Sequence, residues 1–168
     1  MEIERKFLVR DIPSGLDQCP HMEIEQGYLC TSPTLRIRRM GDAYILTVKE
    51  TKPQAVSLAR APIVNREEEF ALSAEAYSAL KSKCEGLFIS KTRYRIDLRR
   101  QMSDGLYSGL TAELDVFHGV HEGLLLVEVE FPDVRSAQAF VPPAWFGDDV
   151  SQDPRYRNSS LSKITIKS

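Results

Sequence analysis

Seven short stretches of this chain carry polar side chains, ionised in all but one case, at alternate positions and apolar side chains between them. Successive side chains of an extended strand point to opposite faces, so each stretch predicts a strand with one ionic face and one apolar face. Glu2, Glu4 and Lys6 share a face opposite Ile3 and Phe7. Arg36 and Arg38 oppose Leu35 and Ile37, and Thr47 and Lys49 oppose Tyr44, Leu46 and Val48. Glu67 and Glu69 oppose Phe70 and Leu72, while Lys91, Arg93 and Arg95 oppose Tyr94, Ile96 and Leu98. Glu113 and Asp115 oppose Leu114 and Val116, and Glu128 and Glu130 oppose Val127, Val129 and Phe131.

Two architectures accommodate this pattern. The ionic residues are either the solvated outer faces of an antiparallel sandwich or the lining of a barrel. Solvated faces usually mix Ser, Thr, Asn and Gln with the charges. These faces are almost purely ionic, rich in arginine, and sorted by sign from strand to strand. A small barrel normally fills with apolar side chains. A charged lumen needs counter-ions, because burying unpaired charge is very costly. A polyanion suits the arginines and lysines, whose planar forks and ammonium groups bind phosphate oxygens. Divalent cations suit the carboxylates.

Strands are expected at 2–9, 23–30, 34–40, 43–50, 65–72, 91–98, 111–117 and 124–131, each short and alternating. Met40-Gly41-Asp42-Ala43 is a tight turn between two of them, and residues 51–64, with Pro53 and Pro62, form a longer loop. Ser73 caps a helix through about Cys84, with Glu75 in its first turn and Gly86 just beyond. A second helix is expected at 134–140, stopped by Pro142-Pro143, and a third near 159–163. The fold class is α+β, mostly antiparallel β, with a few helices packed outside. Tyr77 and Leu80 are at helical spacing and read as core. Trp145 and Phe146 are expected to plug one side of a barrel, and Asp148-Asp149 to form a solvated acidic turn.

The 168 residues suit one domain with its own core, spanning 1–168. A net charge of -2 gives no bulk attraction to nucleic acid or to an acidic membrane. Cys19, Cys30 and Cys84 are odd in number and lack metal-ligand spacing, so they read as reduced thiols of a cytoplasmic protein. His118 and His121 flank Gly119 and read as surface histidines. No apolar run reaches the ~20 residues of a membrane helix, and the acidic, strand-like start is unlike a signal peptide. No Ser-His or Cys-His nucleophile pair, P-loop or Gly-rich dinucleotide fingerprint is evident. Phosphoryl transfer needs none of these, since it asks mainly for position and electrostatics. Hard cations such as Mg²⁺ or Mn²⁺ prefer carboxylate oxygens and stabilise charge on a transferring phosphoryl group.

Glu2-Ile3-Glu4-Arg5-Lys6 resembles the ExExK signature of the CYTH superfamily, the triphosphate tunnel metalloenzymes. The later charged strands follow in the order that family uses, and the resemblance covers nearly the whole chain. It is closest to short bacterial inorganic triphosphatases, through Gln26-Gly27-Tyr28-Leu29, Lys91-Thr92-Arg93-Tyr94, Glu113-Leu114-Asp115-Val116-Phe117, Val127-Glu128-Val129-Glu130-Phe131, Pro142 to Gly147, and Arg155-Tyr156-Arg157-Asn158. The resemblance implies an eight-stranded closed antiparallel β-barrel with a charged lumen, a tunnel open at both ends. It implies Glu2, Glu4, Lys6 and Glu130 as catalytic residues. Lys6, Arg36, Arg38, Lys49, Arg93 and Arg157 would bind phosphate. Glu2, Glu4, Glu67, Glu69, Glu113, Asp115, Glu128 and Glu130 would ligate Mg²⁺ or Mn²⁺. Tyr28 resembles a tyrosine near the tunnel mouth.

One departure stands out. The family often has an arginine two residues before the first glutamate of its central acidic strand. Asn65 occupies that position, and Arg66 falls on the opposite face unless the strand is bulged. Arg95 lies in phase with Arg93 but outside the signature.

The implied reaction is hydrolysis of inorganic tripolyphosphate to pyrophosphate and phosphate. Thiamine triphosphatase and class IV adenylate cyclase are the enzymatic alternatives, and a polyphosphate- or nucleotide-binding module is the non-enzymatic one. Processing of RNA 5′-triphosphates would use surface basic residues such as Arg60 and Arg99. The expected partner is a small-molecule triphosphate, with neither nucleic acid nor membrane, and a homodimer is left open.

Overall fold

A computed structural model describes residues 2–51, 62–100 and 109–163. Arg60 and most of the expected 51–64 loop, Pro53 included, lie outside the described residues. The charged alternation forms strands where it was expected: β1 (Glu2–Val9), β2 (His21–Thr31), β3 (Thr34–Met40), β4 (Ala43–Thr51), β5 (Ile63–Leu72), β6 (Glu85–Asp97), β7 (Thr111–His118) and β8 (Leu125–Glu130). They pair in the order β5-β4-β3-β2-β6-β7-β8-β1, and β1 pairs back to β5. Every pairing is antiparallel. The result is a closed eight-stranded barrel, although the closing β1–β5 ladder spans only Glu2 to Glu4 of β1.

Three short helices, α1 (Ala74–Lys81), α2 (Val134–Ala139) and α3 (Asn158–Leu161), lie outside the ladder. Ser73 caps α1 as expected, its Oγ accepting the Ala76 N–H at 3.1 Å. The helix stops three residues before Cys84. Gly86 falls inside β6 with φ +75°, the left-handed conformation glycine adopts without a Cβ penalty. Tyr77 is core, as its spacing implied: it is buried, packs on Tyr44 at 4.9 Å and donates to Glu25. Among the described residues no helix is long and apolar enough to cross a membrane.

A ninth strand, β9 (Phe146–Asp149), was not anticipated. Its Phe-Gly-Asp-Asp sequence has no alternation to announce a strand. It exists because β1 has a vacant edge. On one side β1 pairs with β8 from Glu4 to Leu8; on the other it pairs with β5 from Glu2 to Glu4 and with β9 from Phe7 to Val9.

The outward faces of β1, β6, β7 and β8 carry the main core. Ile3, Phe7, Ile96, Leu114, Val127 and Val129 pack against Ala137 and Phe140 of the α2 region and against Phe146. Phe146 lies 5.1 Å from the Phe7 ring and Trp145 stacks on Phe146 at 4.3 Å. The aromatic pair therefore seals the wall from outside instead of plugging the barrel. Asp148 and Asp149 are exposed as expected, but they end a strand and not a turn, and Asp149 has a structural partner. It binds the buried Arg5 guanidinium at 2.7 Å, on the apolar face of β1.

A second apolar cluster fills one end of the barrel. Tyr28, Ile89, Phe117 and Leu126, with Leu8 beside them, pack on Val150 and on Leu161 of α3. Leu8, Leu126, Ile89 and Phe117 are in phase with the inward-facing charges of their own strands. The lumen is thus a cup, charged toward one mouth and apolar at its base, and not a tunnel open at both ends. His121 belongs to this base. It is buried, and its Nε2 contacts the Leu161 carbonyl oxygen at 2.7 Å, which corrects its reading as a surface residue. His118 stays half-exposed beside Thr92.

Candidate active site

The barrel order decides how the charges meet. Acidic strands β7, β8 and β5, joined by β1, occupy one continuous arc; basic strands β4, β3 and β6, with β2 among them, occupy the other. The sign sorting from strand to strand therefore becomes two continuous walls. At their two seams opposite charges face each other in register, Lys49 with Glu67 and Arg93 with Asp115. Within the acidic arc like charges face each other, Glu4 with Glu130 and Glu113 with Glu128. Directly opposed like charges destabilise a sheet, so this arrangement is costly without a cation.

A cavity of about 560 Å³ lies between the arcs. Of the residues expected at a site, Glu2, Glu4, Lys6, Arg36, Arg38, Lys49, Glu67, Arg93, Glu113, Glu128, Glu130 and Arg157 line it. Glu69 and Asp115 are not among the lining residues. Glu69 accepts from Arg38 at 2.6 Å at a partly exposed position. Asp115 is fully buried between two basic side chains, both of its oxygens engaged by Arg93 and one also by Lys91. Tyr28, Asn65, Lys91 and Arg95 join the lining. Lys91 was legible in principle, since it is in phase with Arg93. Arg157 enters from the segment leading into α3, a position no alternation could reveal.

Ion pairs knit the lumen. Lys49 Nζ is 2.6 Å from Glu2, 3.2 Å from Glu67 and 3.9 Å from Glu4. Lys6 Nζ is 2.7 Å from Glu128 Oε1 and donates to the Tyr156 carbonyl at 3.2 Å. Arg93 reaches Asp115, Glu113 and, at 2.8 Å, Glu128.

These contacts separate the carboxylates chemically. Burial, reinforced by Glu128 and Glu2, pushes Glu4 up to about 7. Burial and the charges of Glu2 and Glu113 also raise Glu130. Burial opposes ionisation of Glu128 too, but Lys6 and Arg93 outweigh it and hold Glu128 well below the usual carboxylate range. On the basic side, burial and the Arg36 charge lower Arg38 to about 10, and burial lowers Lys91 to about 8 despite Asp115. Burial also works against charge on Lys49, yet Glu4, Glu2 and Glu67 raise it above its ordinary value. Perturbed groups clustered in one cavity are the mark of a functional site.

The donor set suits a hard divalent cation, being all carboxylate oxygen. The charge of Glu128 bears on Glu4 and those of Glu2 and Glu113 on Glu130, and a bound metal would offset that repulsion. Among the described residues no three acidic, histidine or cysteine side chains already converge into a cage.

Asn65 and Arg66 divide as the strand parity required. The β4–β5 register runs without a break from Tyr44–Leu72 to Thr51–Asn65, so no bulge turns Arg66 inward. Arg66 is exposed and pairs with Glu68 at 2.7 Å. Asn65 is buried and donates to Glu2 Oε2 at 3.1 Å. Arg66→Ala should therefore leave both activity and stability essentially unchanged. A tenfold loss of turnover in that variant would place Arg66 in the site. Arg95 contacts Glu113 at 3.8 Å and is mostly exposed; Arg99 pairs with Asp97 on the surface.

A CYTH domain model matches residues 1–165. An inorganic triphosphatase of Nitrosomonas europaea is 39% identical over 165 residues, covering 96% of each chain. An inorganic triphosphatase of Acetivibrio thermocellus is 34% identical over 170 residues, covering 99% of this chain and 96% of that one. A crystal structure of an inorganic triphosphatase superposes with a TM-score of 0.66 at 36% identity, over 96% of this chain and 94% of the other. A protein from Pyrococcus horikoshii, 20% identical over 82% of this chain and 84% of its own, shares the fold with a TM-score of 0.56.

Proposed function

The chain belongs to the CYTH family, and we propose from that premise that it hydrolyses inorganic tripolyphosphate to pyrophosphate and phosphate with Mg²⁺ or Mn²⁺. The observation that carries the reading is a lumen divided into a continuous basic arc and a continuous acidic arc. One arc suits the phosphate chain and the other the cation. Relatives of nearly equal length that are inorganic triphosphatases support it.

Arg36, Arg38, Lys49, Arg93, Lys6 and Arg157 grip the phosphate oxygens, and Lys91 reinforces Arg93 through their shared Asp115. A bound polyanion would compete for the lysines that pair with Glu128 and Glu2 and so free these carboxylates. Glu2, Glu4, Glu128 and Glu130 are the residues that would hold the metal, with Glu67 and Glu113 flanking them. The metal, when bound, supplies charge stabilisation at the transferring phosphoryl group. Glu4 orients the attacking water and accepts its proton at a carboxylate oxygen. Water oxygen bonds to the terminal phosphorus, the bridging P–O bond breaks, and pyrophosphate leaves with the electron pair. The apolar base of the cup supports entry from the charged mouth. Three unpaired cysteines support a cytoplasmic setting.

The test is free-phosphate release from tripolyphosphate, ATP, thiamine triphosphate, pyrophosphate and long-chain polyphosphate, each with Mg²⁺, Mn²⁺ or EDTA. Release from tripolyphosphate should dominate and vanish with EDTA. Tight tripolyphosphate binding with no release under either metal would turn the reading toward a binding module.

A further inference from the structure

We propose that Ser151 is a positioning residue for Lys6, fixing the lysine's backbone where β1 changes its ladder partner. The inference rests on Lys6 acting at the phosphate site. One edge of β1 is paired with β5 as far as Glu4 and with β9 from Phe7 onward. Arg5 and Lys6 fall in the gap. A buried backbone N–H left in such a gap needs another acceptor.

Residues after β9 supply what the ladder does not. The Lys6 N–H donates to Ser151 Oγ at 2.9 Å, and the Lys6 carbonyl accepts the Val150 N–H at 2.9 Å. Ser151 is 2% exposed. Its hydroxyl donates to Asp149 Oδ1 at 2.5 Å, and Asp149 Oδ1 also accepts the Ser151 N–H at 2.9 Å. That leaves a lone pair of Oγ for Lys6. The other Asp149 oxygen is held by Arg5 at 2.7 Å, so the carboxylate that sets the Ser151 rotor is itself immobilised. Further along, the Tyr156 carbonyl accepts from Lys6 Nζ. One segment thus grips Lys6 at its amide, its carbonyl and its ammonium.

Geometry at the pivot matters because Lys6 is long. A small backbone shift at β1 swings Nζ away from its place beside Glu128, and misplacement by about 1 Å at a reacting centre costs on the order of a hundredfold. Ser151 is not among the residues that line the cavity. Its effect reaches the chemistry only through Lys6.

The experiment compares kcat/KM for tripolyphosphate in wild type, Ser151→Ala and Ser151→Thr, with thermal unfolding of each. Ser151→Ala is expected to stay folded and lose about tenfold or more in kcat/KM, and Ser151→Thr, which keeps the hydroxyl, to remain within about threefold. Asp133→Ala is the control. It removes the α2 cap, where Asp133 accepts the Ser136 N–H at 2.7 Å, and weakens the same outer layer without touching Lys6, so its kcat/KM should not move. Ser151→Ala within twofold of wild type, or Asp133→Ala losing as much as Ser151→Ala, overturns the proposal. Should Ser151→Ala fail to fold, Ser151→Cys, with its poorer acceptor, is judged on the same scale. An inactive wild type would instead overturn the triphosphatase reading. The same variants are then compared by calorimetric affinity for tripolyphosphate, where an unchanged Ser151→Ala overturns the positioning role.

Discussion

Exchanging Glu4 for glutamine is expected to remove phosphate release by a hundredfold or more while making the metal-free protein more stable in mild alkali. The two effects have one cause. Burial and the neighbouring carboxylates Glu128 and Glu2 hold Glu4 at about 7, against an ordinary 4.5. Between those two values the native protein keeps a proton that the unfolded chain has lost. Native-state proton uptake in excess of the unfolded state makes stability fall as pH rises. The penalty is absent below the ordinary value, grows through the interval, and is complete above about 7. Its size is no more than about 3 kcal/mol. Glutamine keeps the shape and does not ionise. Denaturant midpoints of wild type and Glu4→Gln should therefore converge near pH 4 and separate at pH 8, the variant being the more stable. An equal midpoint at pH 8 would mean that Glu4 is not strained, and near-normal phosphate release would remove it from the chemistry. Stability lost to an ionised group at the centre of a cavity is a cost that function explains and packing does not.

Arg5→Met should be the most damaging substitution for the fold itself, costing about 3–5 kcal/mol. Arg5 is 1% exposed. Its guanidinium donates to Asp149 Oδ2 through two nitrogens and to the carbonyls of Ala137 and Phe140 at 3.0 Å each. It also lies 4.8 Å above the Phe7 ring. One side chain thus ties β1, the C-terminal end of α2 and β9 together. Methionine fills much of the volume but removes the cation from Asp149, whose side chain is 23% exposed, and takes one donor each from two carbonyls packed around the buried guanidinium site. Guanidinium unfolding measures the loss; a change below about 1 kcal/mol would show that water replaces the guanidinium adequately. Arg5 sits between Glu4 and Lys6 in the signature, yet its work is on the outside of the wall. Strand parity separates it from its neighbours, and the tertiary contacts give it a task that parity alone did not name.

The same division runs through the molecule. Alternation made the strands legible, because whether a side chain faces in or out of a strand is a local matter of backbone geometry. It assigned Glu2, Glu4 and Lys6 to one face, separated Asn65 from Arg66, and grouped Lys91 with Arg93. The cap at Ser73 and the turn at Gly41 were equally local. Two residues in phase were still not equivalent: Glu113 lines the cavity, whereas Asp115 is consumed between Lys91 and Arg93.

What the sequence by itself determined was the eight strands of the barrel, the sign of each inner face and the kind of ligand such faces require. The tertiary structure alone decided that β2 lies between β3 and β6 and that β1 joins β8 to β5, and that order makes the two charged arcs continuous. It also decided that β9 completes the β1 edge, that His121 anchors α3 and closes the base of the cup, and that Asp149 and Ser151 serve Arg5 and Lys6 across some 145 residues. Each of these depends on which distant segment meets a vacant edge or an unpaired polar group. Local propensity carries no record of that meeting; only closure of the barrel brings the partners together.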